Sequence, residues 1–316
     1  MSKVFSLFVL LFLLGSAYPN ELLEVDSFGS NPGNLKMFMY IPDAKKNKEL
    51  SLVVALHGCS QDAKSMASQS GWNRLADKYE FIVLYPQQKI TNNGSLCFNW
   101  FLDRDSNPIG GESESIFQMI QFLKENYPIN EEVFTYGLSA GAAMSTILLA
   151  NYPTLFKSGA VLAGGPYKAA TNYFQGVKVM VSPKNLSPEE WGDKVNVKDG
   201  VEFPKLILLH GKKDKIVDIQ NSYELIDQWS DINDIDTIPD NHEYSFNGNR
   251  SVDRLSYLNA KNEEVIVFYK IRDFGHSLPV DPDGDVNSGG EIGMFAKDID
   301  FFSTYFIGID FGIIKR

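Results

Sequence analysis

Two patterns of hydrophobic and polar positions alternate along the chain. One is a short, nearly unbroken apolar run, the mark of a strand buried on both faces. The other repeats at the helical period, the mark of a helix with one buried side. Leu50-Ser51-Leu52-Val53-Val54-Ala55-Leu56 is the first such run, and it ends at His57-Gly58. Residues 68–79 predict a helix carrying Trp72, Leu75, Ala76 and Tyr79, and Phe81 to Tyr85 a strand stopped by Pro86. Residues 115–127 predict an amphipathic helix with Ile116, Met119, Ile120 and Leu123 on one face. Val133 to Tyr136 is β-branched and aromatic, and Ala142 to Ala150 is rich in Ala and Leu, so a strand and a helix follow in turn. Further strands are expected at Ala160 to Ala163, at Leu206 to Leu209 and at Val265 to Tyr269, with helices at 223–229 and 295–306. Regular alternation of this kind implies an α/β fold, a mostly parallel sheet with helices on both faces. Residues 164–204 have no clear period and are long for a connection, so they are a candidate small cap.

The chain has 316 residues, 44% of them hydrophobic and 22% charged. It shows no internal repeat and no linker, and residues 18–316 read as a single domain. The formal net charge of −11 argues against a nucleic-acid partner or an anionic membrane surface. The N-terminus has its own character. Lys3 precedes an apolar run from Val4 to Leu14, and Gly15-Ser16-Ala17 follows. That order reads as a signal peptide over residues 1–17 and places the mature protein outside the cytoplasm, extracellular or periplasmic. Cys59 and Cys97 are the only cysteines, and two cysteines in an exported protein favour a disulfide. No HExxH or clustered His/Cys pattern is present, so no metal or other cofactor is expected. Asp281-Pro282-Asp283-Gly284-Asp285 has the acidic spacing that opens a calcium loop, but Ile292 stands where such a loop needs Glu, and it reads as a solvated turn. Asn93, Asn185 and Asn249 begin glycosylation sequons, which matter only in a eukaryotic host.

Chemistry enters between the strand at 133 and the helix at 142. Gly137-Leu138-Ser139-Ala140-Gly141 fits G-x-S-x-G in a strand-to-helix context, where a serine hydroxyl is held exposed on a sharp turn. A serine nucleophile needs a base and an acid that orients the base, in the chain order Ser, Asp or Glu, His. The chain has four histidines. His57 precedes the serine, His210 follows a strand directly, and His242 lies in a polar loop. His276, in the loop after the last strand, is therefore the expected base. Asp214, just past the strand that ends at His210, is favoured as the acid over Asp218 in the same loop. The backbone N–H of Ala140 and that of Cys59, in the His57-Gly58-Cys59 turn, are the expected oxyanion donors.

These motifs resemble the poly(3-hydroxybutyrate) depolymerase family of esterases. The resemblance rests on Leu56-His57-Gly58-Cys59-Ser60-Gln61, on Cys97-Phe98-Asn99-Trp100-Phe101, on Gly137 to Gly141 with Met144, and on Gly275-His276-Ser277-Leu278-Pro279-Val280-Asp281. Gly111-Glu112 and Ala163-Gly164-Gly165-Pro166-Tyr167 are similar to its pattern as well, and the likeness runs from about residue 34 to 305. It implies an α/β-hydrolase fold, Ser139 as nucleophile, Asp214 as acid and His276 as base. It also implies Cys59 and Ala140 as the oxyanion hole, a Cys59–Cys97 bond, and Trp100, Phe98, Phe101 and Tyr167 along a substrate groove. The expected activity is hydrolysis of 3-hydroxybutyrate oligoesters or polyesters, with feruloyl or acetylxylan esters as the alternative. No separate polymer-binding domain is visible, which favours soluble oligomers over crystalline polymer. The competing class is a non-catalytic binding protein on a hydrolase scaffold.

Overall fold

Each apolar run becomes a strand whose side chains alternate between two cores. The computed structural model describes residues 21–43, 48–197, 200–284 and 287–315. The expected signal peptide lies outside them. The strands, in chain order, are β1 (Leu23–Val25), β2 (Lys36–Tyr40), β3 (Leu50–Leu56), β4 (Phe81–Gln87), β5 (Ile129–Leu138), β6 (Ser158–Leu162), β7 (Lys205–Gly211), β8 (Asn241–Glu243), β9 (Val252–Leu258) and β10 (Glu264–Ile271). They form one sheet in the order β1-β2-β4-β3-β5-β6-β7-β10-β9-β8. The six strands from β4 to β10 in that order are parallel, and antiparallel pairs flank them at both ends. The outermost strands, β1 and β8, have three residues each, which leaves little unpaired edge.

The two-residue period of a strand explains the unbroken apolar runs. In β3, Leu52, Val54 and Leu56 enter one core while Val53 and Ala55 enter the other. In β7, Leu206 and Leu208 divide from Ile207 and Leu209 in the same way. Helices Glu112–Asn126, Ala140–Asn151 and Gln220–Ile232 cover the first face. Helices Ala63–Ser70, Trp72–Tyr79 and Ser303–Phe311 cover the second. Trp72 anchors that second core, edge-on to Phe81 and Tyr136 and stacked on Phe311.

Several expectations are corrected. The single helix over 68–79 is two helices broken at Gly71, whose φ of 69° lies in the left-handed region. β4 runs through Pro86 to Gln87: its pairing with β3 ends at Leu84, and beyond that only β2 lies beside it. The last helix starts at Ser303, not 295. Ala296–Asp298 is instead a strand, β12, parallel to β11 (Leu278–Val280). β9 escaped notice because Asp253 and Arg254 interrupt its apolar pattern. Asp253 is buried against Arg272 at 3.1 Å, and Arg254 reaches Glu264 and Asp310 at 2.8 and 2.9 Å. Residues 164–204 hold two helices, Tyr173–Val181 and Pro188–Gly192. The first contributes Val179 and Met180 to the cavity that contains Ser139, so this stretch is a wall of the site.

The core of the second face yields a prediction. Trp72 is fully buried, and its indole N–H has no acceptor among the described residues. Trp72→Ala should lower unfolding stability by about 3–5 kcal/mol. Trp72→Phe should cost clearly less, because it keeps an aromatic ring and removes the unpaired donor. Urea denaturation of the two variants checks the order.

Candidate active site

The parallel strands all point their carboxyl ends to one edge of the sheet, and the chemistry collects there. β5 ends at Leu138, Ser139 turns with φ 56° and ψ −117°, and helix Ala140–Asn151 begins at the next residue. A non-glycine residue at such angles carries strain of about 1–3 kcal/mol, which neighbouring contacts must hold. Here the Ser139 N–H bonds the Leu162 carbonyl at the end of β6, and the Ser139 carbonyl accepts from the Ala143 N–H. The flanking glycines have no alternative. A Cβ on Gly137 would lie 2.2 Å from the Gly141 carbonyl oxygen, and one on Gly141 would lie 2.3 Å from that of Leu56. The result is a half-buried serine at the positive end of a helix, lining a cavity with Cys59, Trp100, Ala140, Gly164, Gly165 and Pro166.

Asp214 follows β7 and has a fully buried side chain. One carboxylate oxygen accepts the N–H groups of Ile216 and Val217 at 2.8 and 3.0 Å. The other faces His276 Nδ1 at 2.7 Å and His210 Nε2 at 3.3 Å. Burial acts to raise the pKa of this carboxyl, but the hydrogen bonds from His210 and His276 outweigh it and hold the group well below the usual carboxylate range. An ionised carboxylate only accepts, so Nδ1 of His276 carries hydrogen and Nε2 is left to accept a proton. The side chain of His276 is 6% exposed and stands edge-on to Phe295. Val217, bonded to Asp214, also lines the Ser139 cavity. Among the described residues the Ser139 hydroxyl makes no hydrogen bond, to His276 or to any other group. Asp218 is exposed and bonds the Gln220 N–H at the start of the next helix.

The other histidines are structural. His210 is fully buried, with Nε2 at 2.9 Å from the Val217 carbonyl and Nδ1 at 2.7 Å from the Ser222 hydroxyl. It fastens the Asp214 loop from beneath. His57 is also fully buried, and burial lowers its pKa to about 4, so it is neutral at physiological pH. Its Nε2 accepts the Gln88 N–H at 3.1 Å, so Nδ1 carries the hydrogen and donates to the Gly58 carbonyl at 2.7 Å. His242 stacks on Tyr244 on the edge strand β8 and does not line the cavity.

Cys59 and Cys97 form a disulfide, and Cys59 lines the cavity. The aromatic groove divides into separate places. Trp100 reaches the cavity. Phe98 is fully buried against the His57 ring and cannot meet a substrate. Phe101 packs behind the cavity with Ala169, Val179 and Trp191. Tyr167 lines the neighbouring cavity beside Asn151 and Tyr152 and donates its hydroxyl to Asn151. Elsewhere, Asp281 is joined by Asp298 and Asp300, with carboxylate oxygens within 4.8 Å of one another, while Asp285 lies outside the described residues.

The sequence reading missed His210 as a partner of Asp214, Gln88 as a partner of His57, and Val179 and Met180 as cavity walls. A buried polar residue beside a strand end was the available signal for the two histidine contacts. No local pattern marks the walls.

The comparisons with known proteins agree with this architecture. The sequence profile of the family described as Esterase PHB depolymerase matches residues 35–241. The poly(3-hydroxyalkanoate) depolymerase C of Paucimonas lemoignei is 38% identical over 298 residues, covering 93% of this chain and 70% of that protein. An acetylxylan esterase of Coprinopsis cinerea is 35% identical over 69% of this chain and 60% of its own length. A feruloyl esterase B of Neurospora crassa is 31% identical over 67% of this chain and 75% of its own length. The solved acetyl xylan esterase from Aspergillus awamori superimposes with a TM-score of 0.73 over 81% of this chain and 94% of that one, at 24% identity, and so shares the fold. The chain therefore belongs to the Esterase PHB depolymerase family and is a carboxylic-ester hydrolase of the α/β-hydrolase fold.

Proposed function

We propose that this protein is a secreted serine esterase that acts through Ser139, His276 and Asp214. The observation that carries the reading is the 2.7 Å bond between His276 Nδ1 and buried Asp214, at the same sheet edge as the strained Ser139. His276 Nε2 takes the serine proton as Oγ attacks the ester carbonyl, and the anionic Asp214 stabilises the imidazolium that forms. The N–H groups of Cys59 and Ala140 hold the developing oxyanion. Proton return from His276 releases the alcohol, and water then cleaves the acyl-enzyme by the reverse sequence. The residues named need no metal or organic cofactor for these steps.

For the substrate, the reading follows the 38% identity to a protein named a poly(3-hydroxyalkanoate) depolymerase. The favoured substrate is a 3-hydroxybutyrate oligoester or polyester. Acetylxylan and feruloyl esters stand second, on the more distant relatives of those names. Secretion is supported by the disulfide and by the N-terminal pattern. No described helix is long and apolar enough to cross a membrane.

Ser139→Ala should leave the fold intact, abolish labelling by a fluorophosphonate and lower kcat by roughly 10³- to 10⁶-fold. Near-normal turnover in that variant would sink the mechanism. The carboxyl of Asp214 is held low, so it stays ionised as pH falls from 8 through about 4, below which ordinary carboxylates protonate. Asp214→Asn should therefore lower kcat/KM across the whole of that range, and not only at its acid end, as a pH profile of the variant beside wild type would show. Replacing both cysteines by serine should cost about 2–5 kcal/mol of stability. It should also reduce kcat, by at most roughly 10²- to 10³-fold if the Cys59 donor is fully displaced. Thermal melts and initial rates on the same preparation test both halves. In a substrate panel, soluble hydroxybutyrate dimers and trimers should show higher kcat/KM than methyl ferulate, and crystalline films should be cleaved poorly. A strong preference for the ferulate would move the assignment to the second reading.

A further inference from the structure

Behind the oxyanion-side loops lies a buried carboxylate that the mechanism does not use. Glu112, the first residue of its helix, is 1% exposed. Three donors converge on it. Gln88 Nε2 and Asn99 Nδ2 reach one oxygen at 2.6 and 2.7 Å, and the Asn99 backbone N–H reaches the other at 2.7 Å. Its own backbone N–H bonds buried Asp105 at 3.1 Å, and Asp105 in turn faces Arg104 at 3.5 Å. Burial, and then the neighbouring Asp105, raise the pKa of Glu112 to about 8, and the bonds from Gln88 and Asn99 pull against them; all three contacts come from N–H donors, so both oxygens accept and the geometry is that of the ionised group. Keeping an acid here is costly, and an apolar residue of similar size would be the cheaper way to fill the space.

The partners of Glu112 lead to both halves of the disulfide. Along one branch, Gln88 Nε2 also donates to the Cys97 carbonyl at 2.9 Å, and Asn99 stands between Cys97 and the cavity residue Trp100. Along the other, the Gln88 backbone N–H bonds His57 Nε2, and His57 Nδ1 donates to the carbonyl of Gly58, the residue before Cys59. The disulfide ties the two loops to each other. It does not tie them to the sheet. The chain of bonds from Glu112 through Gln88 to His57 does, because Gln88 follows β4, His57 follows β3 and Glu112 opens a helix on the first face.

We propose that Glu112 is a positioning residue of this esterase, which sets the turn at 57–59 and the segment 97–100 against Ser139 and so aligns the Cys59 N–H and the Trp100 wall. The proposal rests on the reading of Cys59 as an oxyanion donor. The role requires a carboxylate in particular. In Glu112→Gln the one remaining oxygen still meets two donors, but an amide NH₂ then faces the Asn99 N–H, and two donors in opposition push the Asn99 backbone away.

The test uses the full secreted chain with p-nitrophenyl butyrate, comparing wild type, Glu112→Gln, Asn99→Ala and the double variant, with Ser139→Ala as control. Glu112→Gln should keep its circular dichroism and its Cys59–Cys97 bond. Its kcat should fall about 10- to 100-fold, less than for outright removal of an oxyanion donor, with a smaller change in KM. Fluorophosphonate labelling of Ser139 should slow by a similar factor, since phosphonylation develops charge on the same oxygen. The double variant should lose little more than the worse single one, because both substitutions break one network. Unchanged kcat in folded Glu112→Gln would overturn the proposal. So would a loss that disappears after correction for the folded fraction, or strictly additive losses. If Glu112→Gln does not fold, Asn99→Ala decides alone: a selective fall in kcat supports the role and wild-type kcat refutes it. Turnover surviving in Ser139→Ala would instead defeat the reading of the whole site, whatever Glu112 does.

Discussion

The close backbone approach at the elbow governs the rest of the site. The carbonyl oxygens of Gly141 and Leu56 stand 2.2 and 2.3 Å from where side chains at Gly137 and Gly141 would begin. Strand β5, its following helix and the end of β3 can share that space only if both positions are glycine. Within that packing Ser139 takes its φ of 56° and ψ of −117° and lines the cavity. The loops after β3, β7 and β10 then have a fixed reference, because the same parallel register carries all of them to one edge. Rigid placement of this kind is what lets a loop residue act in catalysis with little reorganisation.

Around that reference, buried polar groups do the aligning. His57, His210, Glu112 and the side chain of Asp214 are each at most 1% exposed, and each has its hydrogen bonds filled by the protein. Such groups are destabilising if left unpaired, so their partners are strongly specified. His210 and two backbone N–H groups hold Asp214 ready for His276. His57 and Gln88 hold the turn that bears Cys59. The two constructions are alike: a histidine at the end of a strand, fully buried, bonds the backbone of a loop to which the proposed mechanism gives a role.

Charge reinforces this division. Asp214 stays anionic because two histidines face it, while Glu112 sits beside another acid and has only neutral donors around it. The first arrangement suits the role proposed for Asp214, that of stabilising an imidazolium. The second suits an anchor that gathers N–H groups from two loops and exchanges nothing with substrate.

The alternating apolar runs, the strand-to-helix turn at Ser139 and the places of Asp214 and His276 in loops after strands were legible from the chain alone. They are local signals, set by side-chain period, glycine sterics and strand-end position, and the sheet reproduces them at β3, β5, β7 and β10. Strand β9 and the break at Gly71 were not legible, since half-buried Arg254 finds its partners on other elements and the turn at Gly71 is decided where two helices meet. The aromatic residues show the limit most plainly. Phe98, Trp100 and Tyr167 have equal claim to a groove in the sequence, yet one fills the core behind His57, one faces the cavity and one faces its neighbour. Their chemistry is the same, and only the tertiary path of the loops assigns each a side. The donors that converge on Glu112 follow the same rule. Asn99 is 13 positions away and Gln88 is 24, so no local period relates them, and the fold alone brings them within hydrogen-bond reach.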